Sequence, residues 1–353
     1  MKKTFALLLL LVLTVGLLVG CTQASPTDKK IRWENDETWT YNIGLISAQS
    51  LETTNGTFYK DFLYSGEINP TNGEMDRLVP TALTGTYVIT LTVDVAKELA
   101  TVVTTQTMQA TYPLDSIANL ATFEEAELVV AQDESSVTLS STTETEVVFK
   151  NNTAQTPVSS STKVNGFYVG KQNQSVSKYE VKTEYETRGK KMYAKITKDG
   201  TTVETELAST SVIDNNQVLT YLRSFDKTST SFQDSPAILV FDPLTATSKK
   251  LSFVYTDQQN FLLEHTFAGD TESNQVATKV NRLDLLLDGT AFMTQVNLPN
   301  LTEKGLDQIS STEVFGAYSA KHTIIRFRVG FVCYQLTGYL TDDMVNAINA
   351  MGN

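Results

Sequence analysis

The sequence predicts an all-β protein: a large, mainly antiparallel sheet that curves and carries one or two short helices. Three observations predict it. Apolar and polar residues alternate with period two along many segments, Asp-Gly dipeptides sit between such segments, and helical periodicity is scarce.

The first strand is read at Trp39, Tyr41, Ile43 and Leu45, which share one face while Thr38, Thr40, Asn42 and Gly44 share the other. Tyr87, Ile89, Leu91, Val93 and Val95 repeat the pattern opposite Thr86, Thr90, Thr92 and Asp94. The clearest case is Tyr179, Val181, Thr183 and Tyr185 against Glu180, Lys182, Glu184 and Glu186. One face of each goes to a core and the other stays wet, as antiparallel sheets allow. Further β-type runs are Thr101–Tyr112, Glu127–Ala131, Ser136–Ser141, Thr145–Lys150, Lys163–Gly170, Ala237–Phe241, Leu251–Tyr255 and His322–Leu340. Asp199-Gly200 and Asp288-Gly289 supply the positive φ angles of two-residue hairpin turns, so hairpins are expected there.

Two helices are expected. Asp214 caps Asn215–Phe225, whose Val218, Leu222 and Phe225 stand at i, i+4 and i+7. Thr341 caps Thr341–Met351, with Asp342 and Asp343 at the positive end of the helix dipole. Both read as cover for a sheet edge or face. The Asn/Thr/Ser-rich stretch 151–162, with Pro157, reads as a loop and as the one internal boundary candidate in a β-rich domain spanning 31–353.

At the other end, Met1-Lys2-Lys3 precedes an almost wholly apolar run from Phe5 to Val19 and then Leu18-Val19-Gly20-Cys21. This is the pattern of a secretory signal peptide, residues 1–20. The tetrad resembles the bacterial lipobox, and that resemblance implies a diacylglyceryl group on Cys21 and cleavage before it. A spanning helix wants about 20 apolar residues, more than this run offers. Two acyl chains on one cysteine hold a protein on a bilayer, since each buried methylene contributes about 0.8 kcal/mol. Residues 21–30, polar with Pro26, read as a flexible tether. The expected location is a cell membrane, lipid-anchored, on its extracytoplasmic side.

The 28 basic and 40 acidic residues give a net charge of −12, and loss of Lys2 and Lys3 with the signal takes it to −14. Nucleic acid and anionic lipid surfaces attract basic patches, so neither is the expected partner. With Cys21 lipidated, Cys333 is the remaining thiol and no internal disulfide can form. Read as one continuous strand, Phe327–Cys333 puts the thiol on the face of Phe327, Val329 and Phe331, as a small buried apolar residue.

The charged strand Lys178–Glu186, the hairpin through Asp199-Gly200, the helix ending Tyr221-Leu222-Arg223-Ser224-Phe225 and the Glu37–Leu45 strand resemble a family of exported bacterial proteins similar to the periplasmic lipoprotein carriers. The resemblance implies a curved half-barrel sheet and a hydrophobic groove, and it carries over no functional residue. The long segment between Tyr112 and Lys163 departs from that pattern.

A search for chemistry finds little. His265 and His322 have no neighbours at metal-ligand spacing, so no metal site or cofactor is expected. No Gly-x-Ser-x-Gly occurs, and the Ser-x-x-Lys matches at Ser160/Lys163, Ser175/Lys178 and Ser224/Lys227 lack their companion motifs. Glu124, Glu125 and Glu127 read as a solvated cluster. Trp33, Trp39, Tyr41, Phe58, Tyr59, Phe62 and Tyr64 read as core or as the lining of a groove for an apolar ligand. No catalytic residue is assigned. The expectation is a non-enzymatic envelope lipoprotein with a binding or structural role toward a hydrophobic ligand or an envelope protein. The alternative is a carboxylate-pair hydrolase acting on cell-wall or extracellular glycans.

Overall fold

The structure, a computed structural model, describes residues 37–45, 78–151, 155–170, 173–222, 238–299, 324–337, 342 and 345–346. Its elements run β1 (Glu37–Leu45), β2 (Ala82–Asp94), β3 (Leu99–Pro113), α1 (Leu120–Glu125), β4 (Val129–Gln132), β5 (Ser136–Lys150) and β6 (Pro157–Val169). They continue with β7 (Gln174–Arg188), β8 (Lys191–Lys198), β9 (Thr201–Leu207), β10 (Val212–Asp214), α2 (Val218–Tyr221), β11 (Ile238–Asp242) and β12 (Thr247–His265). Last come β13 (Asn274–Leu287), β14 (Thr290–Pro299), β15 (Arg326–Val329) and β16 (Val332–Thr337).

All sixteen strands form one sheet in the order β10-β11-β12-β13-β14-β15-β16-β1-β2-β3-β5-β6-β7-β8-β9, with β4 added beside β5. Every pairing is antiparallel except β10 with β11. The all-β, antiparallel expectation holds. The two ends of this path share a core: Val181, Tyr185, Met192 and Leu207 pack with Val212 and Phe241. The sheet therefore curls until β7–β9 meet β10 and β11 through side chains, with no ladder between β9 and β10 among the described residues.

Alternation dictates most of this. Trp39, Tyr41 and Ile43 are buried, as are Ile89 and Leu91, and Val181, Thr183 and Tyr185 on β7. Val95 falls beyond β2 and is 78% exposed, because the chain turns after Asp94. Both Asp-Gly turns form as read, with φ of 49° and 78° at Asp199 and Gly200, and 50° and 80° at Asp288 and Gly289. Two positive values in succession match the right-handed twist of the flanking strands.

Other expectations need correction. Ser136–Ser141 and Thr145–Lys150 are one strand, β5, since Thr142–Glu144 stay in register with Val164, Asn165 and Lys163. The stretch 151–162 gives Pro157–Thr162 to β6, paired to β5 and β7, so the sheet runs through it. His322–Leu340 is not one strand: Gly330, at φ 56°, turns the chain between β15 and β16. Helix α2 does not cover an edge. Val218, Leu219, Thr220 and Tyr221 are all buried in the main core, and Asp214 caps the preceding turn by accepting from the Asn216 N–H at 2.9 Å. Of the C-terminal helix, Asp342, Val345 and Asn346 are described and helical.

Candidate functional site

The site is built where β1 meets β16. Register pairs Asn42 with Gln335 and Gly44 with Cys333 across β1 and β16. It pairs Arg326 with Gln335 and Arg328 with Cys333 across β15 and β16. Directly opposed residues share a face. Tyr41, Ile43, Phe327, Tyr334 and Leu336 face the main core, so Asn42, Gly44, Arg326, Arg328, Cys333 and Gln335 lie together on the reverse. Cys333 is therefore on the opposite face from Phe327, because the turn at Gly330 changes the phase that a continuous strand would keep. It is a half-buried free thiol rather than a core residue.

Asn42, Gly44, Arg326, Cys333 and Gln335 of this reverse face floor a groove of about 900 Å3. Gly44 leaves it open, since a Cβ there would meet nothing within 4 Å. The far wall comes from the end of β12. A bulge between Thr256 and Gln259 moves the later side chains of β12 to the reverse face. Phe253 and Tyr255 pack on the main core, whereas Phe261 and Leu263 join Val280, Ile325 and Val345 in a separate small cluster. That cluster carries His265, whose Nε2 donates to Asp342 Oδ1 at 2.8 Å, while the Ala268 N–H donates to Oδ2 at 2.8 Å. The Ala268 amide and then His265 hold the Asp342 carboxyl below the usual carboxylate range. The Arg326 guanidinium lies over the Phe261 ring, 4.5 Å from its centroid, and also lines the groove. Leu45, Leu262 and Leu336 add apolar lining, with Leu262 57% exposed.

On the core side a smaller cavity of about 190 Å3 lies between Tyr87, Gln106, Thr143, Asn216, Phe327 and Tyr334. Phe327 and Tyr334 stack at 4.4 Å, and Tyr334 Oη donates to Gln106 Oε1 at 3.1 Å. Burial pushes the Tyr87 hydroxyl up to about 12. A cavity of this size suits a single small ring, since about 150 Å3 already holds benzene. Tyr41, one of the aromatics singled out in the sequence, packs against Tyr87 and Phe327 but is itself fully buried. Trp39 is core as well. Trp33, Phe58, Tyr59, Phe62 and Tyr64 lie outside the described residues, as does Cys21.

Among the described residues, the carboxylate with a raised pKa is Asp214. Burial raises it, against hydrogen bonds from Ser160, Tyr185 and the Asn216 amide that lower it, and nearby Asp242 adds to the rise. Tyr185 Oη donates to Asp214 Oδ2 at 2.5 Å, tying β7 to β10 where the sheet ends meet. Burial, and then the Asp214 charge, push the Tyr185 hydroxyl well up. This pair is a structural fastening. Asp214 is fully buried, and neither it nor Asp242 lines the groove or the aromatic cavity.

The remaining sequence candidates disperse. Ser160 and Lys163 stand on β6, and Ser175 and Lys178 on β7, so residues three apart point to opposite faces and cannot meet. Ser224, Lys227 and His322 lie outside the described residues. Glu124 and Glu125 are exposed on α1, and Glu127 is exposed at φ 59° just after it. No group of three His, Cys, Asp or Glu side chains fit to hold a metal occurs among the described residues. Among those residues, too, no helix is long and apolar enough to cross a membrane.

No known family matches the sequence, and no curated protein matches it. Among solved structures the chain is similar to a β-barrel-like protein of a domain of unknown function, DUF1849, from Brucella abortus. The identity is 11%, with a TM-score of 0.43 over 86% of this chain and 96% of that one. The likeness to lipoprotein carriers read from Lys178–Glu186, the Asp199-Gly200 hairpin, the helix ending at Phe225 and the Glu37–Leu45 strand finds no support in these comparisons.

Sequence reading found the strands of this site but not the site. His265 and Asp342 are 77 residues apart, and only the β12 bulge, silent in the alternation, brings them to one wall.

Proposed function

We propose that the chain is a lipid-anchored envelope protein, tethered through Cys21 on the extracytoplasmic side, that works by binding rather than catalysis. Its ligand lies in the groove between β1, β16 and the end of β12. The observation that carries this reading is the groove itself. About 900 Å3 is within the usual range for ligand sites, and hydrogen-bonding groups on rigid strands stand beside an apolar rim of Leu45 and Leu262. An apolar ligand portion at that rim keeps the hydrophobic component expected from the sequence.

The test is mass analysis of what co-purifies with the chain expressed from Thr22 onward, compared with Gly44→Trp. A Cβ at Gly44 meets nothing within 4 Å on the groove side, so the indole is expected to project into the groove. A molecule retained by the parent and lost from Gly44→Trp is the expected result. Equal retention by both would place the ligand elsewhere. For the anchor, Cys21→Ser is expected to abolish incorporation of labelled fatty acid and release the protein from the membrane fraction. Equal labelling of the two chains would remove that half of the reading.

A further inference from the structure

Arg328 is 4% exposed, yet its Nε and Nη1 have no hydrogen-bond partner among the described residues. A buried guanidinium left this way is costly, because its desolvation is not compensated. Its cross-strand neighbour is Cys333, which lines the groove. Two residues further along β16, Gln335 also lines the groove, and its Nε2 is buried without a partner. Arg326 stands across from Gln335 and lines the same groove.

The unmatched groups are all donors, and the nearby acids are engaged. Both Asp342 oxygens accept, from His265 and from the Ala268 amide. Asp284, buried on β13, accepts from Arg282 Nη2 at 2.6 Å. In a chain of net charge −12 this face sets Arg326 and Arg328, with vacant donors on Arg328 and Gln335, against the engaged Asp342 carboxylate of the groove wall.

We infer that the groove's floor is an oxyanion site, in which a phosphate or carboxylate group of the ligand is held by Arg326 and Gln335 Nε2, with the charge of the buried Arg328, next to Cys333 across the β15–β16 ladder, adding attraction. The inference deepens the binding reading above and rests on it. A planar fork of N–H donors fits two oxygens of such a group at once. The ligand is then amphipathic, with its anionic end at β15 and β16 and its apolar part toward Leu45 and Leu262. A free small anion and a lipid headgroup offer the same chemistry, and the experiment separates them.

Cys333 is the built-in probe. The full chain carrying Cys21→Ser, purified in a neutral detergent, has this single thiol. Its alkylation rates by anionic iodoacetate and neutral iodoacetamide are compared, each ratio normalised to that of the urea-unfolded chain. The folded protein is expected to favour iodoacetate by at least about fivefold, because a positive site raises the local anion concentration. Arg328→Gln should lose that preference while iodoacetamide still reacts. Gly44→Leu, which leaves the arginine in place, should slow both reagents alike, so the outcome does not depend on Arg328→Gln folding.

Inorganic phosphate or succinate is then expected to protect the thiol saturably. Protection by phosphatidylglycerol vesicles, but not by the free anions, assigns the site to a lipid headgroup. No iodoacetate preference, or an equal one in Arg328→Gln, overturns the oxyanion site. A neutral molecule retained by the parent and lost from Gly44→Trp would overturn it too, while leaving the binding reading intact. Retention indifferent to Gly44→Trp would defeat the binding reading itself.

Discussion

The β7–β9 arm and the β12–β16 arm are both antiparallel, but they obey their sequences differently. In β7–β9 the register runs without a break, and the wet face is a ladder of charges: Arg188 with Glu186 on its own strand and with Glu204 on β9, Lys191 with Glu206, and Lys195 with Glu184. In β12–β16 the register slips between Thr256 and Gln259, again around Leu285, and again between Thr294 and Asn297. There polar and charged groups are buried, Arg328 and Asp284 among them. Unbroken alternation specifies a surface and a buried layer, and among the described residues of that arm it leaves the Thr183 hydroxyl alone without a partner. Broken alternation leaves Arg328 Nε and Nη1 and Gln335 Nε2 without partners, on the face that floors the groove.

The sharpest way to break this comparison is in the regular arm. Val181→Asp puts a carboxylate into a layer where Val181 is 3% exposed, whereas Glu184→Lys changes a solvated ladder position. Urea denaturation should show a loss of about 2–4 kcal/mol for the first and under about 0.5 for the second. Equal losses would mean that both faces of β7 are buried.

Two glycines on neighbouring strands give the next effect. A Cβ on Gly85 would run into the Thr107 carbonyl oxygen and lie 2.9 Å from Met108 Cα, whereas one on Gly44 meets open space. Gly85→Ala should cost about 2 kcal/mol through backbone displacement. Gly44→Ala should be neutral or stabilising by about 0.5 kcal/mol, because alanine loses less conformational freedom in a strand. The urea midpoints of the two variants measure the contrast.

A pH series then tests the fastening between the sheet ends. The Asp214 carboxyl is raised above its ordinary 3.8 in the folded state, so the unfolded chain releases that proton first. The group's contribution to stability is therefore full in acid and is lost as pH rises from its ordinary value through its folded one. Asp214→Asn can keep the cap through its Oδ1 and a Tyr185 hydrogen bond in which its Nδ2 donates to Tyr185 Oη, and should flatten that part of the stability profile. An unchanged slope would mean that Asp214 is ionised where it sits.

The smallest effect belongs to the ladder. Arg188→Ala should lower the urea midpoint slightly at low salt and not at all at about 1 M, where exposed pairs are screened. A loss that survives salt would instead point to the packing of Arg188 over Tyr193, 4.7 Å from the ring centroid.

Most of the strands were legible because their information is local. Tyr179 to Glu186 carries its own face assignment, and Asp-Gly carries its own turn. The β15–β16 turn was not legible, since Val329, Gly330 and Phe331 read as uninterrupted strand and only the positive φ at Gly330 reveals the break. That one residue decided the face of Cys333. The burial of α2 was hidden for a different reason. Its apolar spacing suits a helix lying on a sheet as well as one enclosed by it, and the choice depends on how far the sheet curls.

The pairing of β1 with β16 sets a condition on how the molecule is made. Thr337 Oγ1 donates to the Thr40 carbonyl across 297 residues, and Tyr41 Oη donates to the Ile324 carbonyl across 283. β2 can zip onto β3 and β7 onto β8 as soon as each emerges, because short turns join them, and β5 then adds to β3 across the segment that carries α1 and β4. β1 can borrow only β2 until the last strands arrive. Folding is therefore expected to proceed as an open ribbon that grows from its middle, with one edge of its opening strand unsheltered to the end. A chain stopped before β16 would keep its local hairpins but lose the junction on which the groove is floored. Such a fragment would be expected to pair with other chains before it could pair with itself.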